Sequence, residues 1–160
     1  MINCVVAVER NQGIGFNNFM PWPHLKEDLN WFKKLTLNQV VIMGSSTWLS
    51  LGRPLPNRIN VVLSKANYYA EADYIFTNID TAIEFCQTEY KDKEIFIMGG
   101  QSIYDQCMPI IGKFYVTEID QNYTCDKFFN LTYVKEHCPN VTIHASYTEP
   151  VTYTIKEYSK

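Results

Sequence analysis

Five short runs of β-branched and apolar residues recur along this chain: INCVVAV (2–8), QVVIM (39–43), RINVVLS (58–64), EIFIM (94–98) and KFYVTEI (113–119). They are largely apolar from end to end rather than alternating, which is the pattern of strands covered on both faces. Helical patterns occupy the intervals, at about 24–35, 45–51, 79–90 and 101–108. Strand–helix alternation predicts an α/β fold, a parallel sheet covered by helices. The C-terminal part changes character. There VTIHASY (141–147) and VTYTIKEY (151–158) alternate on either side of a Glu-Pro turn, which predicts an antiparallel hairpin added to the sheet. No repeat, linker or charge block divides the 160 residues, so a single domain over 1–160 is expected, large enough for a core and a pocket. In such sheets ligands bind beyond the carboxyl ends of the strands.

Composition narrows the function classes. A formal net charge of −3 gives no basic face for nucleic acid in the totals, and no nucleic-acid partner is expected. Five cysteines (4, 86, 107, 125, 138) form no CxxC pair, and the three histidines (24, 137, 144) lie far apart, so neither a disulfide framework nor a metal site is expected. The apolar run near the N-terminus is too short for a signal peptide, and no later run is long enough for a membrane span. N-x-T sequons at Asn122, Asn130 and Asn140 read as chance in an Asn- and Thr-rich chain. A cytoplasmic, reduced setting without membrane association is the expectation.

One carboxylate stands out. On a 3.6-residue helix, Trp31, Leu35, Phe32, Leu25 and Leu29 share an apolar arc, while Lys26, Glu27, Asn30, Lys33 and Lys34 lie opposite. Asp28 falls inside the arc. A buried, unpaired carboxylate costs several kcal/mol, so a partner or ligand must satisfy it. Taken alone, an Asp in a first helical turn is explained by the helix dipole or a structural ion pair. The preceding stretch ERNQGIGFNNFMPWP (9–23) is long for a connection and carries Ile14, Phe16, Phe19, Met20 and Trp22. It suits a lid closing over a ligand and, equally, a loop packed on the surface.

GIGFNNFMPWPHLKEDLNWFKKLT, VVIMGSSTWLSLGRPLPNRINVVLS, IFIMGGQSIYDQCMP and YVTEID together resemble the dihydrofolate reductase family, in its order and spacing and over essentially the whole chain. The resemblance implies an eight-stranded, mostly parallel sheet with an antiparallel C-terminal edge strand and four helices. It also implies reduction of dihydrofolate to tetrahydrofolate by NADPH, for one-carbon metabolism, by a monomer that antifolates target. Asp28 matches the family's pocket carboxylate, which takes the pterin's ring N–H and 2-amino group in two charge-assisted hydrogen bonds. Thr117 matches the hydroxyl that bonds this carboxylate and the pterin. Val5, Ala7 and Phe32 match pocket walls, and Trp22 and Trp31 flank the carboxylate. Arg58 matches the arginine that grips the folate tail's carboxylate bidentately, with Leu51 and Leu55 along the aminobenzoyl path. The spacing from Trp22 through Pro23 and His24 resembles the animal and protozoan form, with His24 read as exposed at the helix start.

The cofactor side rests on a strand running into Gly99-Gly100 and then a helix, where bare backbone and a helix N-terminus suit pyrophosphate. Followed by Gln101, Ser102, Ile103 and Tyr104, it resembles the family's nicotinamide-dinucleotide loop, whose Gly-Gly peptide is cis. Gly44, Ser45, Ser46 and Thr47 open a second such helix. Ala7, Ile14, Gly15, Ser64, Lys65 and Met98 complete the cofactor-binding set that the resemblance implies. One departure concerns the adenosine 2′-phosphate. Ser45 and Ser46 stand where members usually carry Arg, Lys or His, and Ser102 where some carry Arg, which leaves Lys65 as the cation at a matching position. Asp126 and Phe129 match the loop after YVTEID, with Asn130 in place of the usual proline. The alternatives weighed are a fold-related riboflavin-pathway reductase, disfavoured by Asp28, Arg58 and Thr117, and a non-catalytic module of the same fold.

Overall fold

The computed structural model describes residues 1–160. In chain order the elements are β1 (Ile2–Val8), β2 (Gly13–Gly15), α1 (Lys26–Thr36), β3 (Val40–Gly44), α2 (Ser45–Leu51), β4 (Ile59–Leu63), β5 (Tyr74–Phe76), α3 (Ile79–Glu89), β6 (Ile95–Ile97) and α4 (Gln101–Cys107). A short 3-10 turn, Met108–Ile110, leads to β7 (Lys113–Ile119), β8 (Lys127–Phe128), α5 (Leu131–His137), β9 (Asn140–Tyr147) and β10 (Tyr153–Ser159). Eight strands form one sheet in the order β5-β4-β3-β6-β1-β7-β10-β9. Every pair from β5 to β7 is parallel, and β10 runs antiparallel to both β7 and β9. The last strand therefore inserts one place in from the edge, and β9 forms the edge itself.

Alternation along the central strands sends side chains to two covered faces. Cys4, Val6 and Val8 of β1 and Phe114 and Val116 of β7 point into the larger core, beneath Ile79, Ala82, Ile83 and Cys86 of α3 and beneath α4 and α5. Val5 and Tyr115 point the other way, into a cluster with Trp48 of α2 and Leu35 of α1, and Ala7 borders a third cluster with Leu25. The first face is fully packed. The second is shared by only α1 and α2, which leaves room at the carboxyl ends of β1, β3, β6 and β7.

The expected strands and helices are present to within two or three residues at their ends, with four additions. β2 and β8 pair across the 9–23 and 120–130 loops, β5 extends the sheet, and α5 is a fifth helix where four were expected. α5 is too short for a periodic signal. It forms because the Asn130 side chain caps it, accepting from the Tyr133 N–H at 3.0 Å. Leu29 also departs from expectation: it lies in the apolar arc of α1 yet is 42% exposed. No helix is long and apolar enough to cross a membrane.

Buried Asn60 fixes the loop after α2. Its side chain donates to the Leu55 and Arg58 carbonyls at 2.9 and 3.0 Å and accepts from the Leu55 N–H at 2.9 Å. Asn60→Ala should lower unfolding free energy by about 2–4 kcal/mol, because three backbone groups lose their partner. Denaturant titration measures this, and a loss within about 0.5 kcal/mol would show that the loop is held by other means.

Candidate active site

α1 begins at Lys26, so Asp28 occupies its first turn. Leu25 anchors that end of the helix in a cluster with Trp22, Ile119, Val151 and Tyr153, and Trp22 meets Tyr123 edge-on at 6.1 Å. Thr117, 4% exposed on β7, donates its hydroxyl to Asp28 Oδ1 at 2.5 Å. Ala7 of β1 is the register partner of Thr117. Burial raises the Asp28 pKa from its ordinary value, and the Thr117 hydrogen bond partly opposes the rise. The charge is felt nearby: the Tyr153 hydroxyl is raised by its own burial and then by Asp28. No protein donor reaches Asp28 Oδ2, so this carboxylate keeps acceptor capacity. His24 is exposed, as expected. Trp31 lays its ring against His144, 4.7 Å between centroids, and against Tyr115 at 6.4 Å, with Nε1 buried and unpaired.

Val5, Leu51, Leu55 and Met98 come together, half-buried, at the edge of the cluster around Trp48, and Phe32 is half-buried one turn after Asp28. Arg58 lies beyond them. Its Nη1 donates to Thr36 Oγ1 at 3.1 Å and its Nε to the Pro56 carbonyl at 2.8 Å. Thr36 in turn donates to the Phe32 carbonyl at 2.8 Å, which ties the guanidinium to the end of α1. Two of five donors are spent on position, leaving three for a ligand. Partial burial lowers the Arg58 pKa without threatening its charge.

The 9–23 loop is ordered. Phe16 and Phe19 pair as a tight hairpin through N–H to carbonyl bonds of 2.7 and 3.0 Å, and Asn17 and Asn18 take the left-handed conformations of its turn. Its tip is held from both sides. Ser50 of α2 donates to the Asn18 carbonyl at 2.8 Å, and Asp126 Oδ2 accepts from the Asn17 N–H at 3.1 Å. The Asp126 N–H also donates to the Gly15 carbonyl at 2.8 Å. Phe19 (69% exposed) and Met20 (59%) remain in solvent, as does Leu49 on α2. With Leu29 of α1, they put apolar surface on the loop and on both helices of the less covered face.

At the other strand ends, Gly99 and Gly100 join through a cis peptide. The Gly44 N–H donates to the Gly99 carbonyl at 2.8 Å. Gly99 has a φ of +106°, and a Cβ there would stand 2.8 Å from the Tyr104 ring. Buried Tyr104 supports the loop from beneath, its hydroxyl bonding the Val5 and Met98 carbonyls, both at 2.8 Å. Gly100 faces open space. This bare peptide, bonded to Gly44 and followed by Ser102, with the exposed Ser46 in the helix that Gly44 opens, fits a dinucleotide, which needs close backbone approach. Ile103 is buried against Gly44, Thr47 is half-buried, and Gln101 accepts from the Phe128 N–H at 2.8 Å. Two hydroxyls are already engaged: Ser45 donates to the Leu63 carbonyl at 3.1 Å, and buried Ser64 accepts from the Asn67 N–H at 3.0 Å. Lys65 is exposed and makes no ion pair. No group of His, Cys, Asp or Glu side chains is placed to hold a metal.

Sequence reasoning missed several residues. Thr36 and Asn60 position Arg58, Ser50 latches the loop, and Glu9 is a second buried carboxylate at the loop's root. Asn60 did leave a signal, as an amide within an apolar strand. Glu9 left none, since its partners are backbone groups and one of them, the Tyr123 N–H, is remote in sequence.

A sequence profile of the dihydrofolate reductase family matches residues 1–160. The chain is 39% identical over 129 residues to the dihydrofolate reductase of Buchnera aphidicola subsp. Baizongia pistaciae, covering 80% of this chain and 76% of the relative. Against the pig (Sus scrofa) dihydrofolate reductase it is 37% identical over 145 residues, covering 80% and 78%. A viral dihydrofolate reductase of Saimiriine herpesvirus 2 is 33% identical over 181 residues, covering 100% and 85%. The chain belongs to the dihydrofolate reductase family.

The raised Asp28 pKa has a definite consequence for stability. The folded protein holds the Asp28 proton more tightly than the unfolded chain does, so ionisation costs stability as pH rises through the folded pKa. Asp28→Asn should therefore raise Tm by a few degrees at pH 7. The gain should vanish below about pH 4, where the acid is protonated in both states. Thermal melts across pH test this, and a variant less stable than wild type at pH 7 would contradict it.

Proposed function

We propose that this dihydrofolate reductase family member reduces dihydrofolate to tetrahydrofolate, with Asp28 as the pterin receptor and NADPH as the cofactor. The observation that carries the reading is the bond from buried Thr117 to half-buried Asp28 at the carboxyl ends of the central strands. Thr117 spends its proton on Asp28, so the carboxylate accepts the pterin's ring N–H and one 2-amino N–H, while the Thr117 lone pairs are left for the second 2-amino N–H. Arg58, held by Thr36 and Pro56, offers its free donors to the carboxylate of the substrate's tail. Val5, Ala7, Phe32, Leu51 and Leu55 wall the space between them, with Trp22 closing the Asp28 end. A bound nicotinamide cofactor supplies the hydride.

The protein's own part is alignment and exclusion of water. Gly44, Ser46, Thr47 and Gly99 to Ser102 would hold the dinucleotide, Ile14 and Gly15 would border the nicotinamide, and buried Ile103 and Tyr104 keep the loop in place. Asp28 polarises the pterin from its far edge and hands over no proton directly. Water admitted past the 9–23 loop supplies the proton at the ring nitrogen beside the reduced carbon. One chain supplies every residue in this account, which supports a monomer.

Purified protein should oxidise NADPH only when dihydrofolate is present, followed by cofactor absorbance; binding without turnover would overturn the reading. Asp28→Asn keeps the shape but points one donor at the pterin's donors, at a cost of roughly 3–4 kcal/mol. It should lose about a hundredfold to a thousandfold in rate at neutral pH and recover part of it in acid. Near wild-type rates at pH 7 would remove Asp28 from its role.

Lys65 is the cation proposed for the 2′-phosphate. The engaged proton of Ser45 supports this assignment, since that hydroxyl has no free donor. Lys65→Ala should raise the NADPH KM about tenfold at low salt, with a smaller effect at high salt, and leave the NADH KM nearly unchanged. Equal losses for both cofactors would show that Lys65 does not read the phosphate.

A further inference from the structure

Glu9 ends on a carboxylate only 2% exposed, at the point where β1 gives way to the 9–23 loop. Its charge is met entirely by backbone. Oε1 accepts from the Asn11 and Gly13 N–H groups, both at 2.8 Å, and Oε2 accepts from the Tyr123 N–H at 3.2 Å. The Glu9 main chain closes the same turn, donating to the Gly13 carbonyl at 3.0 Å and accepting from the Gln12 N–H at 3.0 Å. Packing around the carboxylate leaves no slack. A Cβ on Gly13 would stand 2.8 Å from Glu9 Oε1 and 2.3 Å from Cys125 Sγ, so only glycine admits both groups. Two loops that are more than a hundred residues apart in sequence are thus joined by one buried side chain at their roots. The same two loops meet again through β2 and β8 and through Asp126 at the tip of the 9–23 loop.

We propose that Glu9 is a positioning residue for the cofactor side of the site. By clamping the 9–13 turn to the 120–125 loop, it sets where Ile14 and Gly15 lie. It touches neither ligand, and the inference rests on the reading of Ile14 and Gly15 as cofactor-facing. Three backbone N–H groups need an acceptor, and one buried carboxylate supplies all three. Glutamine is nearly isosteric but has a single acceptor atom, so in either orientation its NH2 opposes an N–H donor. The Asp28 and Arg58 side chains lie on α1 and next to β4 and make no hydrogen bond to this clamp, whose one link toward them is the edge contact of Tyr123 with Trp22.

The test separates a positioning role from a merely structural one. Wild type, Glu9→Gln and Glu9→Asp are titrated with NADPH and, separately, with dihydrofolate, by quenching of tryptophan fluorescence. Amide hydrogen exchange is measured on the same samples. Glu9→Gln should weaken NADPH about tenfold and dihydrofolate less than twofold. Exchange should rise at Asn11, Gly13, Tyr123 and, farther along the 9–23 loop, Asn17, with β4 unchanged. Glu9→Asp retains the charge drawn back by one methylene and should fall between the other two. Equal weakening of both ligands would mark Glu9 as a plain stability residue and overturn the proposal. So would unchanged exchange at Asn17. Wild-type protein that binds neither ligand would sink the functional reading, whereas the Asn17 exchange decides the clamp by itself, so the two failures are distinguishable.

Discussion

A single hydrogen bond, Thr117 to Asp28, joins the first turn of α1 to the centre of the sheet, and it carries a charge into a largely apolar setting. A carboxylate there is a liability for folding. The scaffold meets it by fixing α1 at both ends: Leu25 sits in the cluster with Trp22 and Tyr153, while Thr36 bonds Arg58 beyond the last turn. The opposite face of the sheet, packed under α3, α4 and α5, supplies the stability that lets the α1–α2 face remain open. Fold and function divide along the two faces. One is a filled core, and the other is a partly uncovered surface where strand ends meet polar side chains.

Three buried polar residues then shape the loops around that surface by one physical device. Asn60, Tyr104 and Glu9 each direct side-chain oxygen or nitrogen at backbone groups. Asn60 shapes the turn that presents Arg58. Tyr104 supports the Gly-Gly turn, and Glu9 gathers the root of the 9–23 loop. Buried backbone must find partners, so a loop whose partners come from a distant side chain is held in one shape without a covering helix. Such loops can carry bare peptides that face open space, such as Gly100.

Much of this was legible in the sequence where a long-range constraint leaves a local trace. The five apolar runs marked the central strands because covering both faces demands unbroken hydrophobicity. Asp28 was visible because it interrupts a helical arc, and Gly99-Gly100 because a strand ran straight into it. β2 and β8 left no trace, since strands of three and two residues exist only through pairing across distant loops. α5 depends on a cap and not on periodicity. Leu29 shows the limit of the periodic argument: the arc correctly names its face, but that face is open to solvent there. Glu9 reads as an ordinary surface acid until the fold brings the Tyr123 N–H to it.

The account stands or falls on Asp28 being a charge held for a ligand. Site-resolved carbon NMR of the Asp28 carboxyl, titrated in the free protein and in its complex with dihydrofolate, measures this directly. In the free protein the group should titrate above its ordinary value, as burial requires. In the complex the pterin's donors favour the charged form, so the midpoint should move downward. An unchanged midpoint on binding would mean that Asp28 does not receive the pterin, and the assignment of the site would have to be abandoned.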